Sequence, residues 1–171
     1  MRPNNLKELF PERYALRLAS SKTVEEIFEL VRDAVKEMVG VVRSGLDLGL
    51  VELEDVEGKA PVALHPLHCN YIVINRRAVD LVKEEAPELL RALLFHSLLY
   101  EYLQTIGLVA EPEVKGRVLE FSLPLFGEEH PVTMMAKDLS QVLPGMTYSR
   151  RMALPKGTEV SPVEELDLSP A

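Results

Sequence analysis

Apolar positions recur with two different periods along this chain, and each period predicts its own kind of element. Val24, Ile27, Phe28, Val31, Ala34, Val35 and Met38 return every three to four residues, the spacing of one helix face. Thr23 and Glu26 form a capping box ahead of that stripe, and Gly40 suits its stop. Between residues 45 and 53 the period falls to two: Leu46, Leu48 and Leu50 alternate with Asp47 and Gly49, which predicts a half-buried strand. Residues 57–61 read as a turn, after which residues 62–64 resume a strand. Residues 71–74 are a short β-rich run, predicted as an inner strand or one bordering a cleft.

Helical signals dominate the second half. Residues 76–85 form one helix, and Pro87 begins a long one over residues 87–106, with Gly107 at its end. A further helix covers residues 112–123, stopped or kinked at Pro124. Residues 127–131 are a loop and residues 132–139 one more helical segment. At the other end, residues 4–19 form one or two helical pieces broken near Pro11. After residues 143–145 the pattern fades. Residues 155–171 contain three prolines, an acidic balance and few large apolar side chains, so a mobile tail is expected there. The prediction is α+β: a single domain over residues 1–150, with a small sheet from residues 45–75 packed by several helices around the buried 87–106 helix, and a tail over 151–171. No internal repeat interrupts this order.

Composition narrows the function classes. At 171 residues with 47% hydrophobic and 27% charged positions, the chain is long enough to bury a real core. A net charge of −8 argues against a nucleic-acid partner, since phosphate contacts require clustered Lys and Arg, and the pairs Arg76-Arg77 and Arg150-Arg151 are short. Residues 1–20 lack the apolar region of a secretory signal, and no apolar run approaches the length of a membrane span, so a cytoplasmic protein without a membrane partner is expected. Cys69 is the only cysteine, which rules out an intrachain disulfide. Scarce Asn and Gln beside abundant Glu, Leu and Val fit a thermophile.

The 87–106 helix carries the candidate chemistry. At roughly 100° per residue, His96, Ser97, Tyr100, Glu101 and Gln104 share one arc, and Phe95, Leu98, Leu99, Tyr102, Leu103 and Ile106 cover the other side. His96, Tyr100 and Gln104 form the tightest line of that arc and are candidate cleft-lining residues. Polar side chains satisfied by neighbouring backbone are the plain alternative.

Residues 100–107 read Tyr-Glu-Tyr-Leu-Gln-Thr-Ile-Gly. This resembles the His-Glu-x-x-His helix of zincin metallopeptidases, often followed by Gly, in which two histidines hold zinc and the glutamate is general base. Glu101 and Gly107 stand at the matching positions, while Tyr100 and Gln104 replace both zinc-ligating histidines. The order of elements over residues 62–138 is also similar to that of small zincin-like proteins. The resemblance implies a degenerate scaffold, with Glu101 as a vestigial base. Tyrosine is an uncommon zinc ligand and neutral glutamine a poor one. The third metzincin histidine would fall at Ala110, and of Glu111, Glu113 and Glu120 nothing selects a gluzincin-type ligand.

Three readings follow. The first is a non-catalytic, zincin-like protein that needs no cofactor and binds a peptide or protein through the former cleft or the tail. The second is a metal-dependent hydrolase with a non-standard zinc site drawn from His65, His68, His96 and His130, with Glu101 as base. His65-Pro66-Leu67-His68-Cys69 is the densest metal-competent group, though its spacing is no known zinc signature. The third is a structural subunit of a larger assembly. Cys69 as a nucleophile has no flanking signature. Met134-Met135 sits where metzincins carry a methionine turn, but two methionines in an apolar segment are more often core filling. Val163, Leu166 and Leu168 among carboxylates would let the tail fold onto a partner as a linear motif, though a solubilising tail is the commoner reading of such a segment.

Overall fold

The computed structural model describes residues 10–168. The expected helical start over residues 4–9 and the last three residues of the expected tail lie outside the described residues. The fold is α+β, with seven α-helices and a four-stranded mixed sheet among the described residues. Two antiparallel helices open it, α1 (Phe10–Ser20) and α2 (Val24–Val39). Pro11 does not break α1. It sits in the first turn, where a missing N–H costs no intrahelical bond. Thr23 caps α2 by accepting from the Glu26 N–H, the Glu26 carboxylate accepts from the Lys22 N–H, and Gly40 closes the helix with φ 75°.

The sheet is built from β1 (Asp47–Val51), β3 (Ala63–Leu64), β4 (Tyr71–Asn75) and β6 (Ser161–Pro162), in the order β3-β4-β1-β6. β4 is an inner strand, as its apolar run predicts. β1 lies parallel to β4 and differs from the half-buried strand expected from its alternation: Gly49, Leu50 and Val51 are all buried. Its second edge is covered by β6, and a Cβ on Gly49 would come within 2.7 Å of Val160 Cγ1. A pair of two-residue strands, β2 (Ala60–Pro61) and β5 (Met146–Thr147), lies beside this sheet.

Helix α3 (Arg76–Glu85) leaves β4 through an Asn75 cap, and a 3-10 turn at Pro87–Leu89 leads into α4 (Leu90–Thr105). α4 is the central helix the sequence predicts: every residue from 92 to 103 is buried. α5 (Val114–Phe126) runs through Pro124 rather than stopping there. The lost hydrogen bond is outweighed by burying Leu125 and Phe126, whose ring meets Phe95 edge-on at 4.9 Å. α6 (Pro131–Lys137) and α7 (Leu139–Val142) complete the helical layer.

The expected tail is corrected by its packing. Residues 155–168 do not project from the domain. Ser161 and Pro162 pair with β1, and Val163, Leu166 and Leu168 are buried in the main core. These three side chains reach the core because the β6 pairing fixes their direction, which no local periodicity announces.

Candidate functional site

The polar arc of α4 faces inward. His96 is 1% exposed and Tyr100 6%, while only Gln104 is partly open to solvent. What covers the arc is the segment after α7. Gly145 accepts from the Ala60 N–H at 2.8 Å, Thr147 from the Val62 N–H at 3.3 Å and Met152 from the Leu67 N–H at 3.1 Å. These bonds lay residues 145–152 along the outer side of residues 60–67 as a strap. The strap delivers Tyr148 onto α4. Its ring stacks on Tyr100 at 4.4 Å and 20°, and its hydroxyl lies 2.7 Å from His96 Nε2. Lys115 Nζ also sits over the Tyr148 ring, 5.0 Å from its centre.

Burial sets the protonation states of this group. The His96 imidazole is pushed down to about 4 and stays neutral. The Tyr100 hydroxyl is raised to about 12, by burial first and then by the charges of Glu101 and Glu111. Burial likewise raises the Tyr148 phenol.

Glu101 is turned away from this pair of rings and braces α4 against the exit of β3. Its Oε2 accepts from the His65 N–H at 3.2 Å, and the Ser149 hydroxyl lies 3.5 Å from Oε1 while donating to the Ala63 carbonyl at 2.7 Å. Burial pushes the Glu101 carboxyl up to about 8, against the smaller opposing pull of those hydrogen bonds. At neutral pH this side chain is therefore mainly a protonated brace. Its direct partners are a backbone amide and a hydroxyl, where an arginine is the conventional partner for a retained carboxylate.

The histidines proposed as an alternative metal set are employed separately. His65 is buried, with Nε2 3.0 Å from the Cys69 carbonyl across a tight turn. His68 is exposed in that turn at φ 63°. His130 caps α6, its Nδ1 accepting from the Val132 N–H at 3.1 Å, and its ring lies 4.6 Å from Phe126. Among the described residues no group of three or more His, Cys, Asp or Glu is placed to hold a metal ion. The two positions that would ligate zinc in a zincin carry a stacked phenol and a neutral amide, a donor set that does not fit the ion. The Cys69 thiol neighbours the Tyr71 hydroxyl, whose pKa that contact raises. Met135 fills the core and Met134 is exposed.

Tyr148 and Ser149 are the site residues that sequence reasoning misses. A lone aromatic in a weakly patterned stretch gives no periodic signal; the sole hint is its position after a Pro-Gly turn. Beyond the strap lies a groove of about 430 Å³, lined by Leu53, Val56, Pro61, Leu64, Met152 and Pro155 and rimmed by Glu52, Glu54 and Arg150. Comparison with protein-family models, with curated proteins and with solved structures gives no match for this chain.

Proposed function

We propose that this chain is a non-catalytic, zincin-like protein that binds an extended peptide segment instead of cleaving one. The observation that carries this reading is Tyr148. It fills the face on which a metal would sit, stacked on Tyr100 and bonded to His96. Hydrolysis would need an open face there and an ionised base, and Glu101 is buried and mainly protonated at neutral pH.

The groove beside the strap is the seat this reading assigns to the peptide. Its floor is apolar, and Val56 and Met152 keep 41% of their surface exposed. Glu52 and Glu54 outnumber Arg150 on the rim, and Asp55 is engaged by Arg77 at 2.7 Å. The ligand class is therefore a segment with an apolar anchor beside a Lys or Arg. The test combines elemental analysis of untagged protein, purified without chelators, with binding to a library of short extended peptides. Expected are no stoichiometric zinc, no cleavage, and selection of apolar-basic peptides whose affinity falls at least about tenfold in Met152→Arg. One equivalent of zinc that is lost on His96 substitution, or cleavage of the library, would replace this reading with the hydrolase.

A further inference from the structure

The groove of about 430 Å³ continues past its own rim. A second hollow of about 440 Å³ adjoins it at the C-terminal end of β1, and Glu52 and Thr158 line both. The two hollows thus form one trough with a saddle at those residues. Their walls differ in kind. Leu53, Val56, Pro61, Leu64 and Met152 give the first an apolar surface. The apolar residues lining the second are Leu50 and Val51, and both are buried, so its accessible wall is Glu52, Arg76, Thr158, Glu159 and Ser161.

The strand ladder shows where this polar hollow comes from. β1 and β6 run antiparallel, with Gly49 opposite Pro162 and Leu50 opposite Ser161. Two residues further along the same register, Glu52 would stand opposite Glu159. Pairing stops before that point, and like charges set directly opposite one another disfavour its continuation. The hollow opens where the two chains part, with one carboxylate on each side.

The charges around it do not cancel. Arg76 is engaged by Glu165 at 2.6 Å, and Arg77 is held by two bonds to Asp55, at 2.7 and 2.9 Å. Glu52 feels Arg77 only at longer range. Among the described residues, the carboxylates of Glu52 and Glu159 have neither a hydrogen bond nor an ion pair. A cation between them would answer both. A metal ion suits the place poorly, because among the described residues no third His, Cys, Asp or Glu joins them as a ligand set. A Lys or Arg side chain suits it well: its stem crosses the saddle and its head donates to both carboxylates.

We infer that the peptide assigned to the groove runs over the saddle and sets a Lys or Arg side chain between Glu52 and Glu159, with its apolar anchor against Val56 and Met152. This rests on the peptide reading and adds a register to it. In an extended chain, side chains two residues apart share a face at a spacing of about 7 Å, which matches two hollows of this size with a common rim. The recognised segment therefore has one residue between its apolar anchor and its cation.

The experiment is a fluorescence-anisotropy titration of the full chain with short labelled peptides. Arg stands two positions from the anchor, in either direction, or directly beside it, or is replaced by Gln. Arg at two positions, in one of the two directions, is expected to bind at least about tenfold tighter than the Gln peptide or the peptide with adjacent Arg. The double variant Glu52→Gln, Glu159→Gln is expected to abolish that preference while the affinity for the Gln peptide holds and the melting temperature does not fall. Glu54→Gln, which removes the same charge from the apolar hollow alone, is expected to cost less than about twofold. A preference that survives the double variant, or that Glu54→Gln reduces as much, overturns the placement of the cation and leaves the peptide reading standing. Equal binding of the Gln peptide or of the adjacent-Arg peptide does the same. Failure of every peptide to bind, the Gln peptide included, overturns the peptide reading and this register with it.

Discussion

The helical layer and the C-terminal segment bury apolar side chains equally well but by different routes. In α2 the buried positions recur with the helical period, and in α4 a long, nearly continuous apolar run is buried all round, so in both each residue's environment follows from its neighbours in sequence. In residues 145–168 the buried side chains are scattered singly among Pro, Gly and carboxylates: Met146, Val163, Leu166 and Leu168. Met146 is placed by pairing with Ala60 of β2, and the last three follow directly on Ser161–Pro162, which pairs with β1. Local periodicity and depth of burial are thus separate properties, and a segment lacking the first can still hold the fold together.

Truncation after residue 158 tests that contrast most severely. Full burial of a Val or Leu side chain contributes about 1.5–3 kcal/mol, and the deletion exposes the surfaces that Val163, Leu166 and Leu168 cover as well as the β1 edge. Their sum is comparable with the whole stability of a domain, about 5–15 kcal/mol. The expected result is loss of a cooperative thermal transition, read by circular dichroism and calorimetry. A truncated chain that melts within a few degrees of the full one would mean the segment rests on the domain without supporting it.

The same contrast explains what the sequence could and could not say. α2 is legible because its cap and stripe are local, α4 because Pro87 opens a long apolar run that Gly107 closes, and the β4 run because a strand buried on both faces is continuously apolar. Pro124 misleads because tertiary packing of Leu125 and Phe126 overrides a local rule. The alternation in β1 misleads because its second face is covered too, by Val160 over Gly49 and by Leu53, Leu64 and Val73 around Val51. At the candidate site, His96, Tyr100 and Glu101 are found by helical periodicity, but the partner that decides their chemistry, Tyr148, sits in the stretch where periodicity is silent.

Tyr148 is where the two regions meet, and substituting it separates packing from hydrogen bonding. Tyr148→Phe keeps the ring stacked on Tyr100 but leaves His96 Nε2 buried beside no partner, at a cost of about 1–3 kcal/mol. Tyr148→Ala also removes the stack and the cover over α4, for a total of about 3–4 kcal/mol. Denaturant unfolding of both variants measures the two parts. Equal, small losses would show that the strap is held by its backbone bonds to residues 60–67 alone.

The last effect vanishes at the acidic end and is the most specific, because its size depends on pH. Glu101 titrates at about 4.5 when unfolded and at about 8 in the native state. Between those values the unfolded chain has released the proton and the native one retains it, so stability falls as pH rises through the window. His96 acts in the opposite sense. Its imidazole goes from 6.5 unfolded to about 4 when buried, so stability is lost as pH falls through that range. The two slopes place maximal stability between the unfolded values, in mildly acidic solution. Glu101→Gln keeps an acceptor for the His65 N–H and offers no charge to bury, so it should match the parent near the acidic end and pull ahead of it as pH rises toward 8, by up to about 1.4 kcal/mol per pH unit. Parallel stability curves for parent and variant would mean that the Glu101 carboxyl is ionised in the native state. The brace between α4 and β3 would then be a buried anion, and an active base at that position would again be open to test.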